Sequence, residues 1–300
     1  MKTIGVIGLG SIGMRHAKNL KRMGHNVVGF DPVLVGDGFP SMWPVRRLDE
    51  LDAIVVASPT EQHGNDLVTI GPEMLSKSFF EKPICTRLNN PFAREVAMVG
   101  YNLRFHGCVK VAKEWIDSGK IGDPQWANFT LGQHSEKPAY LRTGVILNWS
   151  HEIDLALYLL GPAMVAGSNT LVRDGKDEMT DILLTHQTNA PRFDPWITTI
   201  HLDYISNPEV RRFRIQGTRG IIEVDLVRFS ADLYCDEPTE PFRWKDHTWN
   251  DTYIEEMEEF LAIVDNPNAP VNRPRIGATG ADGLAVLKIC LEVRKQAELV

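Results

Sequence analysis

Apolar residues gather in short continuous runs in the first third of the chain and alternate with polar residues over much of the remainder. Residues 3 to 8, TIGVIG, form one such run, as a fully buried parallel strand requires. After a glycine-rich turn, MRHAKNLKRMG has helical spacing and stops at Gly24. Asn26 to Phe30 reads as a second strand ending at Asp31-Pro32, and Asp52 to Ala57 as a third that breaks at Ser58-Pro59-Thr60. Phe79-Phe80 and Ala97 to Tyr101 are weaker strand candidates. Strands alternating with helical segments predict a parallel sheet with helices on both faces. Two connections are short for the usual crossover. Asp31 to Asp52 is expected as an irregular loop with one short strand, Val45 to Leu48, and Asn89 to Ala97 leaves little room for a helix.

The character changes after residue 105. A helix over Val109 to Ser118 ends at Gly119, Gln125 to Gly132 has strand character, and a helix over His151 to Leu160 stops at Gly161-Pro162. β-like runs follow at Met164 to Leu171, Asp181 to Thr185, Trp196 to Tyr204, Arg211 to Gln216, Gly220 to Leu226 and Ser230 to Tyr234. Strands succeeding one another through turns predict a mostly antiparallel sheet. Helices near Tyr253 to Val264 and Gly280 to Ala297 finish the chain. The expected class is α/β, with a first domain over 1–105 and an α+β domain over 106–300. The second domain's large open sheet needs cover on the face its helices leave bare, so a homodimer or homotetramer is expected.

The chain has 300 residues, 43% of them hydrophobic and 24% charged, enough to bury a substantial core and too ordered in composition for a disordered protein. A net charge of −7 argues against a nucleic-acid binder. No apolar run reaches the roughly 18 to 20 residues that span a bilayer. MKTIGVIGLG lacks a signal-peptide pattern, so a cytosolic protein is expected. The four cysteines lie far apart and the histidines show no HxH or HExxH spacing, so no metal site or disulfide framework is expected.

The glycine-rich turn, Gly8-Leu9-Gly10-Ser11-Ile12-Gly13, is the first chemical signal. Gly8 permits a tight exit from the strand, Gly10 lets the backbone approach a pyrophosphate, and Gly13 lets the helix pack closely on the sheet. Asp31 closes the second strand 18 residues after Gly13, where an acid accepts hydrogen bonds from an adenosine ribose and repels a 2′-phosphate. This is the fingerprint of a Rossmann domain, with NAD as the expected cofactor. Arg46 and Arg47 keep NADP open, and the motif alone also fits an unrelated tight turn or a Rossmann fold holding a flavin or S-adenosylmethionine.

The second signal is Glu81-Lys82-Pro83, where a lysine at the carboxyl end of the sheet polarises a carbonyl or stabilises an alkoxide. The plainer alternative is a surface lysine beside a turn proline. The third is Asn148-Trp149-Ser150-His151-Glu152-Ile153-Asp154, in which His151 opens a helix and suits proton exchange with an alcohol. A helix-opening or core histidine is the competing reading. Asp154, one turn on, either orients the imidazole or completes the first turn.

GVIGLGSIGMRH, VVASPTEQH, FFEKP, VGYNLRF and SHEIDLALYLLG occur in that order, and together they resemble the Gfo/Idh/MocA oxidoreductases, the family of glucose–fructose oxidoreductase and inositol dehydrogenase. DSGKIGDPQWANF and HLDYISNPEVRRFRIQGTRGIIEVDL extend the likeness over nearly the whole chain. The resemblance implies a Rossmann domain joined to a domain with a large open sheet, and NAD(P)-dependent oxidation or reduction of sugars, cyclitols or sugar nucleotides. It places Lys82 and His151 as the catalytic pair. Ser58, Pro59, Thr60, His63, Glu81 and Lys82 itself fall at cofactor-bordering positions, Lys82 beside the nicotinamide and the substrate. LNWSHEID has Leu147 where many members carry an Asp, and is similar to the form in relatives associated with surface-polysaccharide and sialic-acid-type sugar biosynthesis. The neutral Asn148 holds a hydroxyl without relaying a proton. Asn102, Arg104, Tyr140, Arg142, Asn148 and Trp149 are candidate substrate contacts; an interdomain ion pair for Arg104 and core packing for Trp149 are the alternatives. A dinucleotide-binding sensor or scaffold without turnover is the rival reading, and a Rossmann methyltransferase a third.

Overall fold

In the computed structural model, which describes residues 1–32, 48–135, 144–186, 195–236, 239–266 and 275–299, the run Thr3–Ile7 forms strand β1. It pairs in parallel with β2 (Asn26–Phe30) on one side and β3 (Ala53–Val56) on the other; β4 (Ser78–Glu81) and β5 (Met98–Gly100) complete a sheet of order β2-β1-β3-β4-β5. All these strands run the same way, but the order in which the chain adds them reverses after β2, from one side of β1 to the other, and the carboxyl ends of β1 and β3 at such a switch point frame a ligand crevice. Helix α1 (Ser11–Arg22) follows β1, and α2 (Thr60–Ile70) and the single turn α3 (Pro72–Leu75) follow β3.

The short connections behave as their lengths demand. Asn89 to Ala97 holds only a 3-10 turn at Ala93–Glu95. Of the strand expected over Val45 to Leu48, residues 45–47 lie outside the described residues, and Leu48 instead opens a 3-10 turn, Leu48–Glu50. Helix α2 is not foreseen by the apolar pattern. Its buried stripe is His63, Leu67 and Ile70, and a histidine in the first position masks the helical period.

The next elements are α4 (Gly107–Asp117), β6 (Pro124–Gly132), α5 (Val145–Asn148) and α6 (His151–Leu160), followed by β7 (Ala163–Arg173) and β8 (Lys176–His186). Then come β9 (Trp196–Asp203), β10 (Val210–Gly217), β11 (Gly220–Asp225), β12 (Ser230–Cys235) and β13 (Phe242–Arg243). They build an eight-stranded sheet of order β13-β12-β11-β10-β6-β9-β8-β7, antiparallel except for β6 beside β9. Strands β7 and β8 are longer than expected and meet at Asp174-Gly175, both at positive φ (50° and 72°), the geometry that favours Asp-Gly in a two-residue hairpin. The charged stretch Lys176-Asp177-Glu178 hides the start of β8 from an apolar search.

One face of this sheet is core. Ala127, Phe129 and Leu131 of β6 align with Ile200 and Leu202 of β9 and with Phe213 and Ile215 of β10, all buried. Helices α4, α5 and α6 pack against β11 and β12, β8 and β9, and β6 and β9 respectively. The opposite face carries Trp126, Ile197, Arg212, Arg214, Glu223 and Tyr234, with Ile197 40% and Tyr234 54% exposed.

Helices α7 (Trp249–Asp265) and α8 (Gly280–Gln296) end the chain. A capping box of Thr248 and Asp251 starts α7, and Asp282 accepts from the Thr279 backbone and hydroxyl at the start of α8. By internal contacts one compact unit is residues 1–105 with 248–287, and the other is 106–247 with 288–300. Residues 248–287, which the sequence pattern groups with the second domain, therefore cluster with the first: Met257 and Phe260 of α7 share a core with Ile4, Val6, Phe79 and Phe105. Among the described residues no helix is long and apolar enough to cross a membrane.

Candidate active site

The glycine turn is shaped by contacts that tolerate no side chain. Gly8 has φ of 84°, and a Cβ there would meet the Ala57 carbonyl and Ser58 nitrogen at 2.6 Å. A Cβ on Gly13 would lie 1.8 Å from the Gly8 carbonyl oxygen, so its absence is what seats α1 against the turn. Gly10 is the opposite case, with nothing among the described residues within 4 Å of its would-be Cβ. That open space lies at the N-cap of α1, where Ser11 and Ile12 begin the first turn, with no side-chain cap among the described residues and no acid in the turn. An uncapped helix start with open space before it fits a phosphate. Asp31 follows β2, and its carboxylate accepts the Leu9 backbone N–H at 2.7 Å, tying the acid to the turn. These features fit a dinucleotide; Arg46 and Arg47 lie outside the described residues.

Ser58, Pro59 and Thr60 lead from β3 into α2, beside Gly8. The Ser58 hydroxyl donates to Asp66 at 2.5 Å, and burial raises the Asp66 pKa against the opposing effects of that bond and of nearby His63. His63 is fully buried, its Nδ1 2.8 Å from the Pro83 carbonyl and its Nε2 2.9 Å from the Ser58 carbonyl. Each ring nitrogen faces a main-chain carbonyl, and the one that carries the proton donates to its carbonyl, so the ring sits between the Ser58 loop and the Lys82–Pro83 turn. Glu81 ends β4, with His16 Nε2 2.8 Å from its Oε1. Lys82 follows, half-buried, at a cis bond to Pro83.

In the other unit, α5 and α6 carry the SHEID segment. Asp177 of β8 accepts the Ile146 N–H at 2.6 Å, and Gly144 is packed so closely on that carboxylate that a Cβ would clash. Asn148 donates to the Tyr204 hydroxyl at 2.8 Å, and the Trp149 ring lies 4.3 Å from that of Tyr204. His151 is the first residue of α6 and half-buried; Glu152 beside it makes a two-pronged, buried bond to Arg211 of β10 at 2.7 and 3.1 Å. Asp154 is buried on the same helix. Asn148 with Trp149, and Glu152 beside His151, are thus held by Tyr204 and Arg211 respectively. The last two lie in HLDYISNPEVRR, more than 50 residues from the histidine, where local spacing carries no signal.

Two expected substrate contacts make bonds within the protein. Asn102 is buried and donates to the Thr252 hydroxyl at 2.7 Å, while Arg104, 5% exposed, reaches the Ile276 carbonyl at 3.4 Å and Asp282 at 3.6 Å. Both ends of these bonds lie in one unit, so they tie the Asn102–Arg104 turn to α7 and to the start of α8. Trp149, 9% exposed, is packed on Tyr204, the core alternative to sugar stacking. Tyr140 and Arg142 lie outside the described residues.

Residues 109–223 match the family profile described as the GFO/IDH/MocA C-terminal domain. The chain is 30% identical to a scyllo-inositol 2-dehydrogenase (NAD(+)) of Bacillus subtilis, over 89% of this chain and 87% of that protein. It is 25% identical to a myo-inositol 2-dehydrogenase of Thermotoga maritima, over 98% and 96% of the two chains. Among solved structures, the UDP-N-acetylglucosamine 3-dehydrogenase of Acidithiobacillus ferrooxidans shares the fold with a TM-score of 0.81 at 20% identity, covering 100% and 99% of the chains.

Proposed function

This chain belongs to the Gfo/Idh/MocA family, and from that premise we propose that it is an NAD-dependent oxidoreductase acting on a secondary alcohol or ketone of a cyclitol, sugar or sugar nucleotide. The observation that carries the cofactor half is the glycine turn, with open space at Gly10 before an uncapped helix and Asp31 fixed beside it. NAD, when bound, supplies the hydride acceptor. His151 takes the hydroxyl proton as the alcohol is oxidised and returns it in the reverse direction. Lys82, a cation, stabilises the negative charge that develops on the substrate oxygen. Asn148 and Tyr204 form a hydrogen-bonded pair that orients a substrate hydroxyl, and the Glu152–Arg211 bond steadies the helix that begins with His151. The relatives define the first screen: scyllo-inositol, myo-inositol and UDP-N-acetylglucosamine with NAD+, reading NADH formation. Turnover of none of these, nor of related sugars, argues against the activity.

Cofactor choice rests on Asp31. Replacing it with alanine removes a charged acceptor for the ribose, so NADH affinity is expected to fall about 10- to 100-fold, the equivalent of one charge-assisted hydrogen bond. Fluorescence titration with NADH and NADPH checks this; an unchanged NADH affinity contradicts it.

We also propose that the sheet face opposite α4, α5 and α6 pairs with the same face of a second copy. Its charges have both signs and form cross-strand pairs, as with Arg214 and Glu223 at 3.2 Å, beside a row containing Trp126, Ile197, Ile221 and Tyr234. A surface of mixed charge and exposed apolar side chains suits an isologous contact. Ile197→Glu combined with Tyr234→Lys is expected to convert the assembly to monomer in sedimentation velocity; a wild-type protein that is already monomeric removes the proposal.

A further inference from the structure

We propose that His16 is a positioning residue for Lys82 and acts through Glu81; the inference rests on the reading that Lys82 takes part in the reaction. His16 lies on the buried stripe of α1 with Gly13, Ala17 and Leu20, a row otherwise suited to small or apolar side chains. It is wholly buried, and a polar ring in such a place needs a partner. Its Nε2 lies 2.8 Å from Glu81 Oε1, whereas Nδ1 has no hydrogen-bond partner among the described residues. A proton on Nδ1 would be a buried donor without an acceptor, so the ring carries its proton on Nε2 and donates it to the carboxylate. Phe79 and Tyr253 hold the ring edge-on, with centroids 5.3 and 5.8 Å away and interplanar angles of 64° and 71°, which fixes where that donor points.

The carboxylate is held from its other side as well. A Cβ on Gly100 would lie 3.0 Å from Glu81 Cδ and Oε2, so the carboxylate lies close against the main chain of β5 at a residue without a side chain. Glu81 Oε2 faces the Lys82 backbone N–H at 3.3 Å. One oxygen therefore takes the His16 proton and the other the main-chain N–H of the next residue. The sheet ladder fixes the chain as far as Glu81, which pairs with Gly100, and the carboxylate carries that order one residue past the strand end. The same helix that begins at the glycine turn thus supplies, one turn later, the anchor that sets the lysine. A leucine at position 16 would serve the packing equally well, and only a donor serves the carboxylate.

The test compares His16→Leu, which removes the donor, with His16→Gln, whose amide nitrogen reaches a similar point and keeps it. NADH titration reports folding and cofactor binding, and turnover is measured with whichever of myo-inositol, scyllo-inositol or UDP-N-acetylglucosamine is oxidised fastest. His16→Leu is expected to lower kcat about tenfold or more while NADH affinity and KM for NAD+ stay within about twofold, the pattern of a group that acts on the reacting residue alone. His16→Gln is expected to recover most of the rate. In a Lys82→Met background, His16→Leu is expected to add no further loss, because the two changes act on one unit. Wild-type kcat in His16→Leu, equal losses in the leucine and glutamine variants, or additive losses with Lys82→Met each overturn the proposal. If Lys82→Met itself retains turnover, the reading beneath fails, an outcome distinct from an inactive Lys82→Met beside an active His16→Leu.

Discussion

Lys82→Met is expected to lower kcat about 100- to 1,000-fold, the usual loss when a preformed charge-stabilising donor is removed from the developing oxyanion. His151→Ala is expected to cost about 100- to 10,000-fold, the range for a general acid–base group. Neither change should weaken NADH binding by more than about threefold, since these side chains act in the transition state and not in ground-state affinity. The two losses should not add: once proton transfer is gone, stabilising an alkoxide has little left to act on. Steady-state kinetics on the two single variants and the double variant check all three statements. Near wild-type turnover in both single variants contradicts the assigned chemistry.

Gly13→Ala is expected to be the most damaging single change in the cofactor half. Its Cβ would stand 1.8 Å from the Gly8 carbonyl oxygen, and backbone cannot step aside as a flexible side chain can. Helix α1 has to move off the turn, at a cost of about 3 kcal/mol, the upper end for overpacking. For a unit of this size that lowers Tm by about 6 to 12 °C, and it should also abolish NADH binding. Gly10→Ala is the informative partner. Gly10 has φ of −63° and open space around its would-be Cβ, so alanine there leaves Tm unchanged. It should nevertheless weaken NADH binding, because the methyl group enters the space where a pyrophosphate approaches the backbone. Differential scanning fluorimetry with an NADH titration separates the two. Full NADH affinity in Gly10→Ala contradicts a phosphate at that place.

Much of the first unit is legible in the sequence because its strands are buried on both faces. TIGVIG, NVVGF and AIVV then appear as unbroken apolar runs, and glycines mark where the chain must approach itself. What escapes is written in polar residues doing core work. His63 conceals α2, and His16 interrupts the apolar stripe of α1; in both, a histidine at a buried helical spacing is itself the available signal. Asp174-Gly175 signals the β7–β8 hairpin, yet the charges after it make the strand resemble a loop. Tyr204, Arg211 and Asp177 escape for another reason. Their contacts with Asn148, Glu152 and Ile146 join residues 31 to 59 positions apart, and no local pattern encodes such pairings. The partners of Asn102 and Arg104, Thr252 and Asp282, are hidden in the same way, being still farther along the chain.

The claim that this protein transfers hydride to NAD is tested most directly by incubating it with NAD+ and a panel of cyclitols, sugars and UDP-sugars, with Lys82→Met as the control. The account predicts NADH formation with at least one of them, and a rate about 100- to 1,000-fold lower with the variant on that substrate. Tight NADH binding with no NADH formed across the panel would contradict it and leave a dinucleotide-binding sensor or scaffold.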